Sequence, residues 1–265
     1  DNSSTHVYNS TVYGYSGIRT FDNSRLSLSS SVSPTVLAYG DSSVDAFNCT
    51  FEEVVAWGNS RIDVLNSTID FQVAPAAYSA NFSVTGLEPG FIGYWNFLLN
   101  CSVAVAPGGL AANLTLTNTQ IDGWSFVISE FSNAVISNSE LCGIYLYDDA
   151  VVSVYDSSFS EGVWSFSSSN THIYNSTTYM VASHQDSRVW LVNSTCNIYD
   201  INQQSEVYVC WYLDVHVVYS NGTGVPFASV TATYPNATIA ESKLTDVDGW
   251  ARLTLTEKMM NATGS

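Results

Sequence analysis

Positive charge is what this chain has least of. Seven Lys and Arg side chains stand against 24 Asp and Glu, a formal net charge of −17 over 265 residues. A balance of that sign repels nucleic acid, anionic lipid and polyuronate chains, so none of these is expected as a partner. Lys243 and Lys258 are the only lysines, leaving Arg19, Arg25, Arg61 and Arg188 for residues 1–212. Acid–base chemistry that needs a cation has little to draw on. Long apolar runs are missing too: nothing reads as a signal peptide or as about 18 consecutive apolar residues, so no membrane span is expected within this chain. The five cysteines, Cys49, Cys101, Cys142, Cys196 and Cys210, show no CxxC, CxxCH or Cys/His zinc spacing, so no metal, haem or other cofactor is expected. Their odd number, beside many N-x-S/T triplets, fits an oxidising exterior with one or two disulfides drawn from the five and at least one thiol left over. That thiol is expected either to be buried or to pair between subunits.

Disorder is excluded by what is present. Hydrophobic residues make up 46% and aromatics 13% of the chain, with only 12% charged, a composition that can build a core under an uncharged polar surface. A repeat organises it. Triplets such as Asn48-Cys49-Thr50, Asn66-Ser67-Thr68, Asp156-Ser157-Ser158, Asn175-Ser176-Thr177 and Asn193-Ser194-Thr195 recur at a nearly fixed spacing. Taking the first triplet residue as an anchor places twelve, at 9, 30, 48, 66, 81, 100, 118, 138, 156, 175, 193 and 211. Four and two residues before an anchor come apolar side chains (Leu26 and Leu28, Ile62 and Val64, Val152 and Val154, Val189 and Leu191), the alternation of a strand. Three residues after it another apolar position opens the next strand (Phe51, Leu141, Phe159). Six and seven before it lie turn residues (Asn23-Ser24, Asp41-Ser42, Asp149-Ala150, Asp186-Ser187).

About three short strands and three corners fill each period, and no helix-period segment of useful length occurs between residues 1 and 211. Such strands bury their apolar sides only by coiling, each pairing in parallel with its counterpart one coil on. The fold class expected is all-β: a parallel β-helix of about twelve coils over 1–212, followed by part of a small β-sandwich module over 213–265. The anchor Asn is expected on the inward side of its bend, its amide stacked on its neighbours. In these features residues 1 to about 211 resemble the right-handed parallel β-helix family, which includes pectate lyases and many archaeal and bacterial surface proteins with asparagine ladders. From Leu213 the pattern changes, and Val215–Tyr219, Val225–Ala232 and Thr245–Leu255 look like the carboxypeptidase regulatory-like and bacterial Ig-like modules that follow β-helices in archaeal surface proteins. Asp1 fits a mature N-terminus, and 259–265 ends inside a strand pattern, so a longer protein with its anchor beyond is expected.

Three groups of side chains are candidates for function. Asp148, Asp149, His184 and Asp186, with Arg188 nearby, could form a polysaccharide-cleaving site, since glycosidases need two carboxylates about 5–10 Å apart; the turn positions of Asp149 and Asp186 already account for them, and no enzymatic activity is expected. Tyr39, Trp57, Tyr147, Phe166 and His184 form one column, with Tyr145 and Trp164 beside it. Facing out, these aromatics would pack on a neighbour or stack on sugar rings; facing in, they are core. The sequons at Asn9, Asn48, Asn66, Asn81, Asn100, Asn175 and Asn193 coincide with anchors, which leaves Asn2, Asn113, Asn221, Asn236 and Asn261 as glycosylation candidates. Asp246-Val247-Asp248-Gly249 resembles half a calcium loop but reads as a hairpin turn. The resemblance, the low surface charge and the sequons imply an extracellular, structural cell-surface glycoprotein, such as an archaeal surface-layer (S-layer) or sheath subunit. Its partners would be copies of itself in a lattice or tube. A carbohydrate-binding or adhesive module, meeting surface glycans, is the second class; a polysaccharide lyase or hydrolase is the third.

Overall fold

The computed structural model describes residues 3–12, 17–56, 60–65, 68–75, 81–85, 113–117, 120–128 and 133–262. Among them no helix occurs, and the chain is a β-solenoid. One wall is a 12-stranded sheet. Its parallel members are Ser4–Tyr8, Arg25–Ser29, Ser43–Phe47, Arg61–Leu65, Asn81–Thr85 and Asn113–Thr117, then Asn133–Ser137, Val151–Tyr155, Asn170–Tyr174, Arg188–Val192 and Glu206–His216. The opposing wall is built in two stacks. Ile18–Thr20, Val32–Ala38, Thr50–Ala56 and Thr68–Pro75 form the first; Gln120–Ile128, Glu140–Leu146, Ser158–Ser165, Thr177–His184 and Thr195–Asn202 form the second.

The solenoid has about 7 turns, fewer than the twelve coils expected. Counting anchors counts strands of the first wall, whereas a turn is complete only where both walls step together, and the second wall does so within its 4-stranded and 5-stranded stacks alone. Two expected anchors do not fall at corners, Asn81 and Trp211, the latter lying inside the strand Glu206–His216. Asn81 pairs with Arg61 and Asn113 at the start of a strand, while Thr85, in register with Leu65 and Thr117, ends it. Asn100 lies outside the described residues.

Two corners per turn are sharp and the third is shallow. The anchor residues Asn9, Ser30, Asn48, Asn138, Asp156, Asn175 and Asn193 all have φ between 47° and 54°. This left-handed region costs most L-residues about 1–2 kcal/mol, and Asn and Asp tolerate it best, which is why they recur there. Eight residues before an anchor the same conformation returns, at Asp22, Gly40, Asp148, Ser167, Gln185 and Gln203. The third corner is only a register shift inside a continuous strand, between Leu141 and Gly143 or Phe159 and Val163. Ser158–Ser165 takes up its extra residue there, beside Gly162, where a Cβ would stand 2.6 Å from the Met180 carbonyl oxygen.

Aliphatic columns fill the interior. Leu26, Leu28, Val44, Ile62, Ile136, Val152, Val154, Ile173, Val189, Leu191 and Val207 of the first wall face Val36, Ile144, Leu146, Val163 and Val181 of the second, all buried. Each such side chain contributes roughly 1.5–3 kcal/mol, whereas the solvent-exposed ion pairs Arg25–Asp45 and Arg61–Asp63 add little. Burial, repeated every coil, sets the fold.

The inward residue at the anchor corner is not the asparagine. Asn9, Ser30, Asn48, Asn138, Asp156, Asn175 and Asn193 are exposed, and the residue after each but Asn9 is buried: Ser31, Cys49, Ser139, Ser157, Ser176 and Ser194. Left-handed backbone turns the anchor side chain outward and its successor in. The ladder is therefore one of serines with Cys49 in a rung. Ser139, Ser157 and Ser176 donate their backbone N–H to the hydroxyl of the next coil's serine at 3.0–3.1 Å, and each hydroxyl donates to the carbonyl two residues back.

The strand Glu206–His216 runs on through residue 212, and Trp250–Asn261 pairs with it antiparallel along its whole length. Met260 thereby covers Val207 and joins the core, closing that end of the first wall. The intervening Ser229–Thr233 and Ile239–Leu244 form a 2-stranded sheet.

Candidate functional site

The aromatic column of the second wall faces outward, while Phe51 and Phe159 of the same wall are buried in the core. Val36, Ala38, Ile144, Leu146, Val163, Ser165, Val181 and Ser183 take the buried parity, leaving Tyr39, Tyr145, Trp164 and Phe166 half-buried and Tyr147 exposed. Trp57 lies outside the described residues. The rings do not stand apart. Parallel in-register pairing sets equivalent side chains one strand spacing from each other, about 4.8 Å, and flat rings fill that gap by stacking. Tyr145 lies 4.4 Å from Trp164 with planes 6° apart, Tyr147 lies 4.9 Å from Phe166, and Phe21 lies 5.0 Å from Tyr39. His184 ends the upper column, edge-on to Phe166 at 5.2 Å.

A second set of stacks, unread from the sequence, covers the first wall. His172, Trp190 and Tyr208 succeed one another at 4.4 and 5.4 Å with planes within 7°, and Tyr155 stacks on Tyr174 at 5.0 Å. The signal was available: these positions fall one and three residues before the anchor, on the outward parity. Burial pushes the His172 imidazole below the ordinary histidine value and the phenols of Tyr145, Tyr174 and Tyr208 above theirs.

Stacking decides what these columns can do. A sugar ring packs against an open aromatic face, yet the faces of Trp190 are taken by His172 and Tyr208, and those of Phe166 by Tyr147 and the edge of His184. What the columns offer to a partner is a flat row of ring edges and phenol hydroxyls.

Further along the first wall, Tyr8, Phe47 and Leu65 stand exposed around a hollow of about 350 Å3, where Ser27 and Ser29 leave room beside Asp45 and Asp63. Both carboxylates are held by arginines, Asp45 by Arg25 at 2.6 Å and Asp63 by Arg61 at 2.7 Å.

The acid and histidine group does not converge. Asp148 sits in the left-handed corner, Asp149 and Asp186 are exposed turn residues, Arg188 pairs with Glu206, and the His184 ring meets Asp200 at 3.2 Å. Among the described residues no group of three or more His, Cys, Asp or Glu is placed to hold a metal. Asp246 caps its own hairpin: its carboxylate accepts the N–H groups of Asp248 and Trp250, both at 2.9 Å.

Cys49, Cys142 and Cys210 are buried and Cys196 is half-buried, and in place of the one or two disulfides expected none joins these four. Cys101 lies outside the described residues. Burial raises the Cys49 thiol above its ordinary value, and it donates to the Phe47 carbonyl at 3.2 Å as the ladder serines do.

Of the glycosylation candidates, Asn221 and Asn236 are exposed in turns, Asn261 is half-buried at the end of its strand, Asn113 opens the strand Asn113–Thr117, and Asn2 lies outside the described residues. The outward anchors withdraw the argument that ladder burial denies a glycan to Asn9, Asn48, Asn175 and Asn193.

No known protein family, curated protein or solved structure matches the chain. The geometry alone carries the functional reading.

Proposed function

We propose that this chain is a structural element of an extracellular surface, a rigid β-solenoid that associates laterally with copies of itself. The observation that carries it is the covering of both outer walls by aromatic columns whose faces are already stacked, such as His172-Trp190-Tyr208 and Tyr145-Trp164. Such walls are flat, repetitive and stiffened along the axis, and many of their charges are neutralised in place by pairs such as Arg25–Asp45, Arg61–Asp63 and Arg188–Glu206. Flat apolar faces of this kind mark interaction surfaces. The finer placement, in an archaeal surface layer or sheath with residues 213–265 as an Ig-like connector, extends the same reading through the resemblance of the coil pattern to β-helix surface proteins.

A carbohydrate-binding role shares the outward aromatics but would need open ring faces, which within these columns only the end of a stack provides. Sedimentation of the purified chain over a concentration series tests the proposal: reversible association that Trp190→Ala weakens supports it, whereas a monomer at all concentrations counts against it.

A further inference from the structure

Two sequons outside the solenoid fold into the same turn. Tyr219-Ser220-Asn221-Gly222-Thr223 and Tyr234-Pro235-Asn236-Ala237-Thr238 share Tyr, Asn and Thr at the first, third and fifth positions. In each, the Tyr N–H donates to the Thr carbonyl, at 2.8 and 2.9 Å, and the residue after Asn donates to the Tyr carbonyl at 2.9 Å. That residue is left-handed in both, Gly222 at φ 85° and Ala237 at φ 65°. Alanine takes this conformation only against its steric preference, so the turn is held even where the residue opposes it.

The asparagine is set the same way twice. Its Oδ1 accepts the Thr N–H, at 3.0 Å in one turn and 3.1 Å in the other, and the Thr hydroxyl, at 2.5 and 2.7 Å. With the oxygen engaged, the Nδ2 group has no hydrogen-bond partner among the described residues and the side chain is exposed. The sequons of the solenoid differ. Asn193 spends its Nδ2 on the Asn175 oxygen at 3.0 Å, and the hydroxyls of Thr195 and Thr177 bond to each other and not to the asparagines.

The tyrosines supply a second observation. Tyr219 and Tyr234 are 56% and 44% exposed and belong to no ring stack among the described residues, unlike the rings of the solenoid walls. Each stands two residues before its asparagine.

We infer that Asn221 and Asn236 are acceptors of N-linked glycans, each presented by a Tyr-x-Asn-small-Thr turn whose tyrosine packs on the first sugar. The donor is a lipid-(pyro)phosphate-linked oligosaccharide. Nδ2 attacks C1 of its reducing-end sugar, the N–C bond forms as the C1–O bond to phosphate breaks, the phosphate leaves as the anion, and the Nδ2 proton passes to a carboxylate of the transferase. Nothing is oxidised or reduced. The inference rests on the extracellular reading above.

Glycopeptide mass spectrometry of the protein isolated from its own cells tests it, with protease accessibility on intact cells measured in parallel. The expected result is a protease-accessible protein carrying sugar mass on both asparagines. Thr223→Ala then removes the glycan from Asn221 alone, and Tyr219→Ala with Tyr234→Ala reduces the loss of thermal stability that follows enzymatic deglycosylation. An accessible protein with either asparagine bare overturns the inference and leaves the surface reading standing. A protein sheltered from protease until the cells are lysed overturns both.

Discussion

Ser176 hands its backbone N–H to the hydroxyl of Ser194 one coil above, at 3.1 Å, while its own hydroxyl bonds the Tyr174 carbonyl at 2.6 Å. Each ladder hydroxyl thus takes up a buried backbone N–H from the coil before, Ser176 that of Ser157 and Ser194 that of Ser176, while the Tyr174 carbonyl also accepts the Asp156 N–H. Ser194→Ala leaves the Ser176 N–H without its partner, while the Val192 carbonyl keeps the Asn175 N–H at 3.0 Å; an unsatisfied buried polar group costs about 1–3 kcal/mol. Chemical denaturation of the variant should show a loss of that order. Cys49→Ser, which substitutes the ladder's prevailing residue for its exception, should stay within about 1 kcal/mol of the parent.

Asn175 tests the corner from outside. At φ 48° the residue lacks the steric freedom of glycine, so Asn175→Ala should destabilise by about 1–2 kcal/mol while Asn175→Gly should cost less. Equal thermal midpoints for the two variants would remove backbone conformation as the reason for asparagine there.

Gly162 marks the shallow corner. Gly162→Ala puts a methyl 2.6 Å from the Met180 carbonyl oxygen, and overpacking of this kind costs typically about 1–3 kcal/mol. Calorimetry should find the midpoint lowered. The backbone of a coil neighbour cannot move aside as a flexible side chain would.

These corners show how far the sequence could be read. The period, the left-handed anchors and the apolar alternation in Val152-Ser153-Val154 or Val189-Trp190-Leu191 are local, and they specified coils and inward faces before any coordinate. Which side of the anchor bend turns inward was not local: it depends on φ at Asn175, and the same triplet fits an asparagine ladder or a serine ladder until that angle is known. Asn81 misled because an Asn at a strand start and an Asn at an anchor look alike without the register to Arg61 and Asn113. The closing strand Trp250–Asn261 was unreadable for a different reason, since its partner lies 46 residues or so earlier in sequence, as in the Trp211–Glu257 bond, and no motif announces so distant a pairing. Of the site, the outward aromatic parity remained open until packing chose Val36, Ile144 and Val163 for the interior.

His172 gives the stacks a pH dependence. Burial lowers its folded pKa below the unfolded value of about 6.5, so the unfolded chain binds more protons and stability falls as pH drops from about 6.5 towards the folded pKa. His172→Phe keeps a ring against Trp190 and removes the titration. Between pH 7.5 and 5.5, thermal melts should show a smaller decline for the variant than for the parent; equal declines would assign the effect elsewhere.

Lateral association must overcome mutual repulsion between chains of net charge −17. Screening shortens from about 10 Å at 0.1 M salt to 3 Å at 1 M, so association through apolar walls should strengthen as salt rises. Light scattering across a salt series checks the sign, and weakening with salt would point to a contact made by ion pairs.

The central claim is that these walls meet copies of themselves. Electron microscopy of the native material at its source tests it most directly. The account predicts an ordered planar or tubular array in which solenoids lie side by side with aromatic columns such as His172-Trp190-Tyr208 at the contact. Dispersed single molecules, or an array whose contacts leave both walls bare, would contradict it.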